Sequence, residues 1–199
     1  FIFNCLIMGM SLSSELKKLY VGSKEVKEAY IGSSKIYPIQ TEVDPTNYVI
    51  VLPLGGELSL SYIGSSPDYY IEYSILTDPS NLTWNPLSYG DVATTADNTP
   101  ILLRGNLIPV ANRGIGTIRI QGECFLGGNC MALLYGDDAY NKTTMPYDYA
   151  FYRLFINCTN IKGIDYGFLP ATTLSTQCYA YMFKGCTGLL ESPLVPATN

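Results

Sequence analysis

The residues of this chain that could do chemistry are cysteines and carboxylates, because it contains no histidine. Without an imidazole, Ser-His-Asp and Cys-His catalysis and histidine-ligated metals are excluded. The six cysteines are Cys5, Cys124, Cys130, Cys158, Cys178 and Cys186. Cys124 and Cys130 are not at the CxxC spacing of a zinc site. Cys158 and Cys186 are 28 residues apart and occupy equivalent positions of a repeat, which predicts a stack of buried free thiols, with a secreted set of disulfides as the alternative.

The carboxylates do not form a recognisable catalytic pair. A glycosidase needs two acidic groups about 5 to 10 Å apart in a cleft. The sequence does not pair the candidates in that way; they are Glu57, Glu72, Asp91 and Glu123. The neighbours Asp137 and Asp138 could ligate Ca²⁺, but the EF-hand pattern is absent and a solvated turn is the simpler interpretation. We predict no enzyme, no catalytic residue, no cofactor and no metal.

Composition limits the remaining classes of function. The net charge of −5 and the sequence pI of about 4.6 lack the basic footprint of a nucleic-acid-binding protein. The first ten residues, FIFNCLIMGM, are apolar but too short to span a bilayer, and they lack the features of a signal peptide. Met8 or Met10 could be the true start; the alternative is that the stretch is an apolar strand that packs on a partner. With 17 tyrosines and 15% charged residues, the profile predicts a β-rich protein that binds neither nucleic acid nor a membrane.

One phrase occurs twice near the end of the chain. AFYRLFINCTNI begins at Ala150 and CYAYMFKGCTGL begins at Cys178, an offset of 28 residues. A second phrase, FLPATT and then LVPATN, follows each copy. Repetition at this period is typical of a solenoid, whose units stack to bury a shared core. The predicted core of the repeat is Phe155, Cys158, Ile161, Phe183, Cys186 and Leu189.

The phrases MFKGCTGL, LPATTL and CYAYMF resemble the BspA-type leucine-rich repeats of gut-bacterial surface proteins and of their phages. The resemblance covers about the last third of the chain. It implies a right-handed coil with one short strand per repeat, used for adhesion or recognition, and it implies no catalytic residues. The sequence stops on PATN, within what would be a third unit, so we expect either more chain or a partner that covers this face.

A shorter repeat lies near the start, where KLYVGSKEV is followed by EAYIGSSKI. Alternating apolar residues around Gly-Ser turns predict a small β-meander. The phrase resembles an N-terminal module of phage and prophage structural proteins. Two short hairpins have too little core to be stable alone, so we predict that they anchor on a partner or on copies of themselves. The predicted anchoring residues are Tyr20, Val21, Tyr30, Ile31 and Tyr37.

The middle of the chain alternates strand-like runs with turn clusters, which predicts an antiparallel β-sandwich. The runs are 48–52, 58–63, 69–75, 101–104 and 116–121. Trp84, the only tryptophan, is expected in or over the core, with sugar stacking as the alternative. IEYSILTDPSNLTWNPL followed by ILLRGN resembles an immunoglobulin-like module, although the Cys…Trp…Cys spacing of antibody domains is absent.

These features combine into one prediction of organisation and function. The fold is mainly β, with an anchoring segment and meander (1–40), a β-sandwich (41–127) and a leucine-rich-repeat solenoid (128–199). The function is that of a phage virion structural protein of fibre, tail or head-decoration type, located in the virion. Its partners are other virion proteins, copies of itself, and a host receptor or glycan. The alternative is a bacterial cell-surface adhesin.

Overall fold

The computed structural model describes residues 19–21, 24–26, 29–31, 34–37, 44–64, 71–107 and 114–196. The chain begins with two antiparallel hairpins: β1 (Leu19–Val21) pairs with β2 (Lys24–Val26), and β3 (Ala29–Ile31) pairs with β4 (Ser34–Tyr37). Each hairpin is a separate two-stranded sheet, whereas one meander was expected. The apolar stretch 1–10, with Cys5, lies outside the described residues.

Nine further strands form two sheets, so the predicted mainly-β class is confirmed. The larger sheet has the order β13-β12-β5-β10-β7-β8 and the smaller has the order β11-β6-β9. Their bounds are β5 (Val49–Pro53), β6 (Leu58–Ile63), β7 (Ile71–Ile75), β8 (Asn85–Leu87), β9 (Val92–Thr95), β10 (Ile101–Gly105), β11 (Thr117–Gln121), β12 (Cys124–Gly128) and β13 (Ile161–Ile164). One short helix, α1 (Ala132–Tyr135), and 3₁₀ turns at Pro45–Asn47 and Gly136–Ala139 complete the regular elements.

The five predicted strand runs correspond to β5, β6, β7, β10 and β11. β5 and β10, which are interior strands of the larger sheet, each have four of five residues buried. β6 alternates at period 2: it buries Leu58, Leu60 and Tyr62 while the residues between them are partly exposed. Ile118 and Ile120 of the neighbouring β11 are buried in the same way. Side chains from both sheets therefore share one apolar cluster.

The predicted boundary between residues 127 and 128 falls inside β12. β12 pairs antiparallel with β5 of the sandwich region and parallel with β13 of the repeat region. Cys124 and Leu126 are fully buried between these partners, and a single buried cluster extends across the boundary. The two regions are therefore packed as one unit, because the strand that connects them is an interior strand of the larger sheet.

The duplicated phrase adopts an unusual conformation, a chain of overlapping turns. We call residues 149–158 ribbon 1 and residues 177–186 ribbon 2. In each, every second N–H donates to the carbonyl three residues earlier, from Tyr152 to Tyr149 in ribbon 1 and from Ala180 to Gln177 in ribbon 2. A strand, β13, follows ribbon 1, while residues 189–196 after ribbon 2 contain no described strand.

Candidate recognition surface

The two ribbons lie side by side and are joined by backbone hydrogen bonds that all point in one direction. The N–H groups of ribbon 1 donate to carbonyls of or next to ribbon 2 at N···O distances between 2.7 and 3.1 Å. The pairs are Tyr149 to Thr176, Phe151 to Cys178, Arg153 to Ala180, Phe155 to Met182 and Asn157 to Lys184. Residues that are equivalent in sequence therefore also occupy equivalent places in space.

On its other side, ribbon 1 lies against the smaller sheet. The N–H of Ile118 in β11 donates to the carbonyl of Leu154 at 2.7 Å, and the Thr117 hydroxyl donates to the carbonyl of Arg153 at 3.2 Å. β11, ribbon 1 and ribbon 2 thus form three successive layers. The backbone donors of each layer face the backbone acceptors of the next.

Aromatic rings stack in the interior of this layered structure. Phe155 and Phe183 are nearly parallel, with ring centroids 5.6 Å apart, and Phe151 stacks on Tyr179 at 5.8 Å. Phe168 tilts against both phenylalanines. Such pairs contribute about 0.5–1.5 kcal/mol each beyond the area they bury. The stack fixes the ribbons relative to each other.

The six residues predicted as the repeat core all lie in or against the apolar cluster. In the first copy Phe155, Cys158 and Ile161 are buried. In the second copy Cys186 is buried, whereas Phe183 and Leu189 are half-buried. The second copy is therefore less enclosed than the first.

The repeated cysteines act as hydrogen-bond donors between layers. Cys158 Sγ donates to the carbonyl of Ile118 at 3.2 Å, and Cys186 Sγ donates to the carbonyl of Phe155 at 3.0 Å. Burial raises the pKa of Cys158 to about 11 and raises that of Cys186, so both thiols keep their protons at neutral pH. The five cysteines within the described ranges are free and buried, as the sequence indicates.

The solvent side of the ribbons carries aromatic rings and cations. We call this set the aromatic–cation face; it consists of Tyr149, Tyr152, Arg153, Tyr181 and Lys184. Tyr152 meets the rings of Tyr149 and Tyr181 edge-on, each at a centroid distance of 5.7 Å. Arg153 Cζ lies 4.9 Å from the Tyr152 ring centroid and 5.8 Å from that of Tyr181. Lys184 Nζ lies 5.2 Å from the Tyr181 centroid.

The cations of this face are available to a ligand. Within the part of the chain that the structure describes, the ion pairs join Arg104 to Glu72 and Asp137, and Lys162 to Glu123. Neither Arg153 nor Lys184 takes part in them. Both are exposed, and Tyr181 is 52% exposed.

The backbone beneath the face is in an unfavourable conformation for the residues it carries. Tyr149, Arg153 and Tyr181 have φ values of 57°, 60° and 57°, in the left-handed region. A residue with a Cβ loses about 1–2 kcal/mol there, and glycine or asparagine is the usual choice. The next left-handed positions of the two ribbons do carry asparagine and glycine, at Asn157 and Gly185.

Trp84, for which sugar stacking is the alternative role, is half-buried among its neighbours. Its ring lies 5.2 Å from that of Tyr48, and Arg104 Cζ lies 4.0 Å from its ring centroid. Arg104 is held in turn by Glu72 and by both carboxylate oxygens of Asp137. Trp84 therefore packs over the second, smaller apolar cluster, as expected, and Asp137 binds an arginine of this chain.

Two of the carboxylates considered in the sequence form ion pairs with cations of the same chain. Glu72 pairs with Arg104, and Glu123 pairs with Lys162 at 2.9 Å. Glu57 and Asp91 are exposed on loops at the ends of β6 and β9. No group of three or more potential metal ligands occurs among the described residues.

The predicted anchoring residues are placed only by their backbone. Tyr20 and Val21 lie on β1, Tyr30 and Ile31 lie on β3, and Tyr37 ends β4. Tyr20 is opposite Glu25 and Tyr30 is opposite Lys35 across their hairpins. Their role as an anchor stays a prediction.

Sequence reasoning found the inward positions of the repeat and missed the outward ones. The sequence signal for the outward residues was the set of positions that lie between the core residues. In AFYRLF these positions hold Tyr152 and Arg153, and in AYMFK they hold Tyr181 and Lys184. Only the turn conformation places these side chains together, because it brings neighbouring layers into register.

Comparison of the chain with protein-family models, with curated proteins and with solved structures finds no match. The resemblances to BspA-type repeats and to an immunoglobulin-like module therefore stay predictions that rest on the residues themselves. Among the described residues, no helix has the length and apolar character needed to cross a bilayer.

Proposed function

We propose that this chain is a non-enzymatic recognition protein of a phage virion, of fibre, tail or head-decoration type. The N-terminal hairpins β1–β2 and β3–β4 attach it to the particle. The layered ribbons present the aromatic–cation face to the host surface. Many copies on one particle convert modest single-site affinity into avidity.

The observation that carries the recognition part is the residue choice at left-handed positions. Tyr149, Arg153 and Tyr181 occupy backbone sites where glycine or asparagine would be more stable. Strained backbone that bears exposed, bulky side chains is characteristic of functional sites. The face is therefore maintained for what it contacts, at some expense in stability.

The support beneath the face suits recognition. Five inter-ribbon hydrogen bonds and two parallel ring stacks hold the face rigidly, which lowers the entropy lost on binding. Tyrosine and arginine are also the side chains most often enriched where binding energy concentrates.

The virion assignment rests on the N-terminal phrase and on the repeat phrases of the sequence. A bacterial cell-surface adhesin would use the same face. The two are distinguished by locating the protein with a specific antibody: on purified phage particles for the virion protein, or on uninfected cells for the adhesin. Label on uninfected cells alone would overturn the virion assignment.

The recognition function is tested by binding of the purified chain to host cells. Arg153→Asn and Tyr181→Gly should lower cell binding about tenfold or more, as expected for residues at which binding energy concentrates, with folding unimpaired. Gln177→Gly is the matched control, because Gln177 has a φ of 51° but lies outside the face. Equal binding by all three variants would remove the face from the function.

A further inference from the structure

We propose that the recognition surface continues from the aromatic–cation face onto the outer side of β11, and that its ligand is an extended anionic polymer lying across the layers. The inference rests on the proposed recognition function; it adds Arg119 as a binding residue and gives the chemical class of the ligand. Its basis is the continuity of the surface, its lack of carboxylates and the distribution of its cations.

Side chains of β11 reach over ribbon 1 on its outer side. The buried isoleucines of β11 point into the core, so the residues that alternate with them face outward. Of these, Thr117 donates from its hydroxyl to the carbonyl of Arg153 at 3.2 Å, and Arg119 Nη1 donates to the carbonyl of Ile156 at 3.0 Å. The outward face of β11 and the solvent side of ribbon 1 are therefore one continuous surface.

The elements that form this side of the molecule carry no carboxylate. β6, β9, β11 and the two ribbons contain neither Asp nor Glu, although the chain has 17 acidic residues. They contain three basic residues, Arg119, Arg153 and Lys184, all of them exposed. None of these takes part in an ion pair within the described ranges, whereas Arg104 and Lys162 do. This side is therefore locally positive on a chain whose net charge is −5.

The three cations are distributed over successive layers. Arg119 belongs to β11, Arg153 to ribbon 1 and Lys184 to ribbon 2. Hydrogen-bonded neighbouring strands lie about 4.8 Å apart, and the stacked rings of Phe155 and Phe183 show a similar spacing between the ribbons, 5.6 Å. The charged residues therefore extend over two layer spacings, about 10 Å, which is more than one carboxylate or phosphate group can contact. A polymer with an anion on each unit meets several of them at once.

The other exposed residues of these three layers indicate a hydroxyl-rich polymer rather than a folded protein. Besides the cations and Gly185, they are the amides Gln121, Asn157 and Gln177 and the ring of Tyr181. No exposed residue of β11 or of the ribbons is a large aliphatic one, so the surface lacks the apolar centre of a protein–protein interface. Amide groups hydrogen-bond hydroxyl groups, and a tyrosine ring combines an apolar body with a polar end. A linear polymer of hydroxylated units that bear carboxylate or phosphate groups matches this set.

Calorimetry on the full chain with two anionic series tests the ligand class. The carboxylate series is galacturonate and tetragalacturonate; the phosphate series is glycerol 1-phosphate and a tetramer of poly(glycerol phosphate). We expect the tetramer of at least one series to bind about tenfold more tightly than its monomer, because it meets several cations. The advantage should fall as salt screens the charges, and tetragalacturonate with reduced carboxyl groups should lack it. Tetramers of both series that bind no more tightly than their monomers would overturn the proposal.

Variants of Arg119 test the extension of the surface onto β11. Arg119→Gln should weaken binding of the preferred tetramer about fivefold, as for an exposed charge contact. It should also lower the slope of log K against log salt concentration by up to about 0.9. Arg119→Lys keeps the charge and should keep the salt slope, which separates the charge from the hydrogen bond to Ile156. Lys142→Gln is the matched control, because Lys142 is an exposed cation outside the three layers. Equal binding by Arg119→Gln and Lys142→Gln would remove β11 from the surface.

Other occupants of the surface give different results. Self-association that weakens with salt and is lost in Arg119→Gln would show that a second copy of the chain binds here. Tighter binding of hexathymidylate than of either tetramer would assign the surface to nucleic acid. Either result would overturn the proposal.

Failure of this inference is distinguishable from failure of the recognition function. If Arg119→Gln binds polymer and cells like wild type while Arg153→Asn and Tyr181→Gly lose cell binding, the function stands and the extended surface is wrong. If all three variants bind cells like wild type, both are wrong.

Discussion

Ribbon 1 and ribbon 2 have the same backbone conformation but different surroundings. Left-handed residues recur at 149, 153 and 157 in the first and at 177, 181 and 185 in the second. Ribbon 1 is enclosed by β11 and ribbon 2, and its Phe155 is 0% exposed. Ribbon 2 has one layer against it among the described residues, and its Phe183 is half-buried. Repetition of sequence therefore fixes local shape, while position in the stack decides whether a residue is enclosed in the core or stays partly exposed.

The largest expected effect is a difference in stability between equivalent phenylalanines. Phe155→Ala should lower the free energy of unfolding by about 3–5 kcal/mol, the range for a fully buried aromatic residue. Phe183→Ala should cost about half as much, because part of its ring is already in contact with solvent. Denaturant unfolding of both variants measures the difference. Equal losses would mean that ribbon 2 is as enclosed as ribbon 1.

The second test forces the ribbons apart at the point where the chain leaves ribbon 2. A Cβ on Gly188 would lie 2.1 Å from the carbonyl oxygen of Thr159 and 2.9 Å from that of Ile161. Gly188→Ala should cost about 3 kcal/mol, the upper end for overpacked sites, since backbone atoms must move. Gly55→Ala is the control, because nothing lies within 4 Å of its added carbon. A neutral Gly188→Ala would contradict the close contact of the two copies.

Alkaline pH should destabilise the layered core through its thiols. Burial raises the pKa of Cys158 to about 11 and that of Cys124 to about 12. Between about pH 9 and 11 the unfolded chain loses these protons and the folded chain keeps them, so the stability that is present below pH 9 is lost as pH rises. The loss assigned to Cys158 should be about 2 kcal/mol at pH 11.

Unfolding of the wild type and of Cys158→Ser across this range provides the measurement. Serine keeps a donor toward the Ile118 carbonyl but does not ionise, so the variant should show a shallower decline with pH. Identical pH profiles would exclude Cys158 as a contributor. The corresponding change at Cys186 should act less strongly, since this thiol is 7% exposed and lies in the outer layer.

The smallest expected effect concerns the strained positions of the face. Arg153→Asn and Tyr181→Gly relieve left-handed strain of about 1–2 kcal/mol, which the greater freedom of the unfolded chain partly offsets. Stability should stay within about 1 kcal/mol of wild type, on the stabilising side. Thermal unfolding measures this. A clear loss of stability would show that these side chains act in packing, and it would weaken their assignment to recognition.

The sequence by itself determined what depends on local periodicity. Strand-like runs bounded by turn clusters located β5, β6, β7, β10 and β11. Of these, β6 and β11 also alternate at period 2, because one face of each is buried. The 28-residue offset identified Phe155 and Phe183 as equivalent, and the tight Gly-Ser turns predicted the two hairpins near the start.

Tertiary structure decided everything that depends on partners distant in the chain. Local patterns do not predict that β12 joins β5 and β13 in one sheet, or that β11 serves as the layer beneath ribbon 1. They also do not bring Arg153 to Tyr181, since that contact requires two turns of chain to stack in register. The spacing of apolar side chains along the sequence shows which face of a strand or turn is apolar. Only the tertiary structure determines what that face, or the opposite face, contacts.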